Sequence, residues 1–118
     1  MKIEPELCNV YDALDIIVGK WKPVILLQLM KNGTMRFSEL KRSIPEISQK
    51  MLTKHLRELE SEDIVKRVVY AQVPPKVEYS ITPYGKSLEK ILQDMHDWGT
   101  NHRLHKMNKL NNDTKRLV

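Results

Sequence analysis

Between Ser48 and Glu62 the chain interleaves Gln49, Lys50, Thr53, Lys54 and Arg57 with Leu52, Leu56 and Leu59. On a wheel of about 100° per residue with Leu52 at the origin, Leu56 and Leu59 fall at roughly +40° and −20°, forming an apolar seam. Arg57, Lys50 and Lys54 fall near ~140°, ~160° and ~200°, and Thr53 and Gln49 flank them at ~100° and ~60°. Amide, hydroxyl, ammonium and guanidinium groups aimed away from a core suit the base edges and phosphates of duplex DNA. A solvated helix face has the same composition, so the neighbouring elements must decide between the two readings. Ser48 is the expected N-cap and belongs to the same candidate contact set.

The elements around this helix are legible in outline. Leu14, Ile17 and Val18 make a short helical stripe that stops at Gly19. A second helix is expected from about Lys22 to Lys31, with Pro23 in its first turn and Asn32-Gly33 as its stop. Thr34-Met35-Arg36 is a short extended link, and Phe37, Leu40 and Ile44 mark a third helix ended by Pro45. The Pro45-Glu46-Ile47 turn positions that helix against the one starting at Ser48. Two short strands, Val65 to Val73 and Val77 to Ile81, enclose Pro74-Pro75 as a hairpin. Thr82-Pro83 reads as N-cap and first residue of a final helix with the stripe Leu88, Ile91, Leu92, Met95 and Trp98. The order α-α-α-α-β-β-α is mainly α with a small β-hairpin, a winged helix-turn-helix. The wing places Gln72 and Lys76 on either side of the prolines, and Arg36 lies in the link; all three are candidates for backbone or minor-groove contact.

With 118 residues, 41% hydrophobic and 30% charged, the chain suits one modest core, expected at 8–107, followed by a loose polar basic tail at 108–118. The net charge of +5 is not concentrated on the candidate helix: residues 36–67 contribute +2 and residues 101–118 contribute +4. The DNA reading therefore rests on where side chains point and not on overall charge. No apolar run reaches the ~18 residues of a membrane span, and the N-terminus has no secretory h-region. One cysteine, Cys8, leaves no intrachain disulfide and suits a reducing cytoplasm.

Several segments together resemble the HxlR family of bacterial regulators: Gly19-Lys20-Trp21, Arg36-Phe37-Ser38-Glu39-Leu40, and the run from Ile44 to Leu52. The same holds for Leu56-Arg57-Glu58-Leu59-Glu60, Pro74-Pro75-Lys76-Val77-Glu78-Tyr79 and Thr82-Pro83-Tyr84-Gly85. Lys22-Pro23, after the tryptophan, and Asp63, where a glycine is more usual, depart from the family pattern. The resemblance implies a homodimeric DNA-binding regulator, most often a repressor, on an operator with two-fold symmetry. It implies dimerisation through N- and C-terminal helices, which assigns Leu88, Ile91, Leu92, Met95 and Trp98 to the interface. It further implies that Cys8 senses oxidants or electrophiles. Thiol chemistry agrees with this if a helix beginning near Asn9 or Val10 lowers the Cys8 pKa, while an inert core thiol is the ordinary alternative.

Other chemistries have thinner support. His102 and His105 stand at i, i+3 and would need a third ligand, such as Cys8, to hold a metal; no metal or other cofactor is expected. No phosphate-binding glycine loop or nucleophile–base set has recognisable context, so an enzyme is not expected. A protein-interaction module using the stripe around Trp98 is the rival to the DNA reading.

Overall fold

The computed structural model describes residues 5–116, with side chains described from 9 to 114. The chain divides into two units, Met1–Ser87 and Leu88–Val118. In the first, helix α1 (Pro5–Ile17) ends before Gly19, whose φ of 105° is left-handed. Helix α2 (Trp21–Asn32) starts one residue earlier than the sequence suggests, still with Pro23 in its first turn. It buries Ile25, Leu26 and Leu29 and stops at Gly33, where φ is 76° and the N–H donates to the Leu29 carbonyl.

The extended link is a strand. Met35–Arg36 (β1) pairs antiparallel with β3 (Lys76–Ile81), which also pairs with β2 (Val65–Tyr70), so the sheet order is β1-β3-β2. Between β1 and β2 lie α3 (Phe37–Ser43) and α4 (Gln49–Ser61). The core gathers Ile17, the three α2 residues, Met35, Leu40, Ile44, Ile47, Leu52, Leu56, Leu59, Ile64, Val65 and Tyr79. Helices α1 to α4 and all three strands contribute to it, which fixes α4 against α2 and β2.

Strand β2 ends at Tyr70, short of the Val73 the sequence suggests, whereas β3 starts at Lys76, one residue before the expected Val77, leaving residues 71–75 as the connection, with a cis Val73–Pro74 bond. Thr82-Pro83 does not open an α-helix. The Thr82 hydroxyl donates to the Asp63 carbonyl at 2.6 Å and accepts from the Gly85 N–H at 2.8 Å, so it caps a 3-10 turn, Gly85–Leu88.

The second unit is helix α5 (Glu89–Arg116). At 1.5 Å per residue its 28 residues reach about 42 Å. The segment expected to be a loose tail is thus helical to Arg116. After Gly99 the sequence holds no glycine or proline to end the helix, and lack of apolar periodicity does not by itself break one.

Candidate nucleic-acid interface

Helix α4 has a sharp start. The Ser48 hydroxyl accepts from the Met51 N–H at 3.1 Å, satisfying one of the four free amide donors of the first turn. Leu52, Leu56 and Leu59 are buried, while Gln49, Lys50, Lys54 and Arg57 are exposed on the opposite side. Thr53 is half-buried, its hydroxyl donating to the Gln49 carbonyl at 2.9 Å. The wheel placed all of these side chains in the arrangement observed.

The inward flank of α4 holds a group the sequence did not reveal. Lys22 Nζ of α2 lies 2.6 Å from Glu58 Oε2, and His55 Nδ1 lies 3.9 Å from the same oxygen without a hydrogen-bond partner. The Lys22 hydrogen bond holds the Glu58 carboxyl below its ordinary value. Burial lowers His55, and nearby Lys22 and Lys54 add to that, against the opposing charge of Glu58. The lysine noted as a family departure therefore ties α2 to α4. Only a tertiary contact could have shown it, because Lys22 and Glu58 are distant in sequence.

The wing separates the expected contacts. Gln72 is exposed in the loop between β2 and β3. Lys76 is half-buried, bound to Glu78 Oε1 at 2.7 Å, with its ammonium 5.1 Å from the centre of the Tyr70 ring. Its ammonium is thus engaged within the sheet, between Glu78 and the Tyr70 ring. Arg36, at the β1–α3 junction, is exposed, and its backbone N–H donates to Glu39 Oε1 at 2.9 Å. A cleft of about 460 Å³ opens between α4 and the sheet, lined in part by Gln49, Thr53 and Arg57 on one side and Arg67, Val77 and Tyr79 on the other.

Cys8 lies within α1 and not ahead of it, since the helix begins at Pro5; its side chain is outside the described residues. Of the five stripe residues near the C-terminus, Leu92 is buried and Leu88 half-buried, whereas Ile91, Met95 and Trp98 are 45%, 45% and 68% exposed. The Trp98 ring stacks on His102 with centroids 5.0 Å apart, and His102 on His105 at 6.4 Å. Among the described residues no three His, Cys, Asp or Glu side chains gather as metal ligands, and no helix is long and apolar enough to cross a membrane.

Residues 16–107 match the family model described as HxlR-like helix-turn-helix. The chain belongs to this HxlR-like family. A Bacillus subtilis relative, the uncharacterized HTH-type transcriptional regulator YtcD, is 55% identical over 94 residues, covering 80% of this chain and 74% of that protein. A Methanothermobacter thermautotrophicus HTH-type transcriptional regulator is 49% identical over 102 residues, covering 86% and 76%. Among solved structures, the redox regulator HypR in its oxidized form superposes with a TM-score of 0.75 at 50% identity, covering 80% of this chain and 96% of that one. The reduced form of the B. subtilis transcriptional regulator YodB superposes at 0.67 and 36% identity, covering 82% and 91%. The HxlR-like chain is thus a winged helix-turn-helix transcriptional regulator, not an enzyme.

Proposed function

We propose that this HxlR-like regulator is a homodimeric, cytoplasmic repressor that binds a two-fold symmetric operator and releases it when Cys8 is oxidised or alkylated. The observation that carries the DNA half is the α4 face: four exposed polar and cationic side chains opposite a fully buried leucine seam. Gln49, Lys50, Thr53, Lys54 and Arg57 read or anchor the major groove, Ser48 sets the helix start, and Arg36 and Gln72 meet the backbone or minor groove. The exposed Ile91, Met95 and Trp98 give the second copy an apolar face to cover.

The thiol half is supported by similarity to HypR, known in oxidized and reduced forms, and to a diamide-treated YodB. With a single cysteine, oxidation by diamide links Cys8 of two subunits or captures a small thiol; two thiols lose two protons and two electrons, and the diamide is reduced to its hydrazine. A quinone instead forms a thioether with the Cys8 thiolate. Genomic fragments recovered with and without diamide supply the operator for titration of wild type and Cys8→Ser. Wild type is expected to lose affinity on treatment and Cys8→Ser to keep it. Equal loss in both proteins, or none in either, would assign Cys8 a structural role.

A further inference from the structure

Strands β2 and β3 are in register Val65↔Ile81, Arg67↔Tyr79 and Val69↔Val77, with Lys66↔Ser80, Val68↔Glu78 and Tyr70↔Lys76 between them. Side chains alternate across a sheet, so these are two faces. The first contains buried Val65 and Tyr79 and is the face turned to the core. Arg67 shares that face, is exposed, and lines the cleft opposite Arg57, Gln49 and Thr53 of α4. Lys76 and Glu78 share the other face and neutralise each other at 2.7 Å. Among the described residues, neither Arg57 nor Arg67 takes part in an ion pair. One carboxylate, Glu60, also lines the cleft. Two guanidinium groups, with the Gln49 amide between recognition helix and wing, make a donor set for an anion with several acceptor oxygens.

We propose that Arg67, acting with Arg57, holds a phosphate of the DNA backbone in the cleft between α4 and the wing, and that Lys76 does not supply the wing's phosphate contact. This rests on the DNA-binding reading and adds a residue to it. Glu60 lies in the same cleft and opposes the phosphate.

The test measures affinity of the full chain for an operator fragment and for an unrelated duplex over a salt series. Arg67→Gln is expected to weaken both by the same factor, roughly five- to tenfold at low salt, and to flatten the log–log salt slope by about one. Arg67→Lys should restore the slope, Glu60→Gln should tighten both duplexes, and Lys76→Gln should leave the slope unchanged. Thermal melts establish that each variant is folded. A wild-type slope in Arg67→Gln, or a slope loss in Lys76→Gln as large as that in Arg67→Gln, overturns the proposal. Inorganic phosphate at constant ionic strength should not compete; saturable competition abolished by Arg67→Gln would assign the cleft to a free anion. If wild type shows no salt-dependent DNA binding, the DNA reading fails with it; if wild type binds and Arg67→Gln binds equally, only the cleft assignment fails.

Discussion

Arg57 and Lys54 project from α4 with no carboxylate partner within ion-pair distance among the described residues. Lys54→Ala is expected to weaken operator binding by about 1–3 kcal/mol where the contact is to a base, and Arg57→Ala, on a phosphate, to weaken all duplexes alike and lower the salt slope by about one. Lys109→Ala, far along α5, should change little, and a larger effect there than at both α4 positions would displace the interface from α4. His55, next to Lys54 but on the inward side of α4, is expected to contribute to acid stability instead. Its folded pKa lies below the ordinary 6.5 because burial disfavours the imidazolium. On acidification the unfolded chain takes up this proton first, so the contribution is full above 6.5 and is lost as pH falls through the lowered folded value. Glu58, also lowered, adds a loss at more acidic pH, below its ordinary 4.5. Urea unfolding at about pH 7.5 and about pH 5.5 should therefore show a steeper stability loss in wild type than in His55→Gln. Parallel profiles would remove His55 from the acid response.

At the scale of elements, the junction that carries the wing back to α5 is built on close approach. A Cβ on Gly85 would collide with the Ile64 backbone carbonyl oxygen, and backbone cannot swing aside as a flexible side chain can. Asp63, one residue earlier, sits at φ 61°, and its carbonyl and that of Ile64 both receive the Thr82 hydroxyl, at 2.6 and 3.2 Å. The left-handed backbone explains why a glycine is the more usual residue at Asp63. Gly85→Ala should cost about 1–3 kcal/mol of folding stability, as overpacking does. Denaturant midpoints measure this; a midpoint equal to wild type would mean that the β2 entry shifts freely. Sequence periodicity gave the α4 face and located both wing strands here, but it ran β2 on to Val73 and missed the 3-10 turn, because Thr82 is engaged by carbonyls 18 and 19 residues away.

At the scale of the whole molecule, Ile91, Met95 and Trp98 lie within about 60° of one another on the α5 wheel, with His102 and His105 continuing the same face. Large side chains this exposed on one helix face are ordinarily covered by a partner. Light scattering at micromolar concentration should give twice the 13.9 kDa chain mass. Trp98→Lys should shift the mass toward the monomer and weaken operator binding while α4 remains intact. Half-sites are then expected one helical turn apart, about 34 Å, or a multiple of it. A monomeric wild type that binds its operator with full affinity would contradict both statements.

The amino-acid sequence alone determined the features that depend on short-range pattern. These are the Leu52-Leu56-Leu59 seam with its opposed cations, the Ser48 cap, the Gly33 stop and the hairpin around Pro74-Pro75. Each follows from helical or strand period, or from the conformational preference of one residue. Tertiary structure decided everything that required two distant segments to meet. It made Met35–Arg36 a strand by supplying β3 as its partner, and it joined Lys22 to Glu58. It also turned Arg67 toward α4 while neutralising Lys76 on the opposite face. A one-residue change of register exchanges the two faces of a strand, and register is set by core burial of Val65 and Tyr79. Which wing cation faces the cleft therefore depends on packing, and counting charges along the chain could not reveal it.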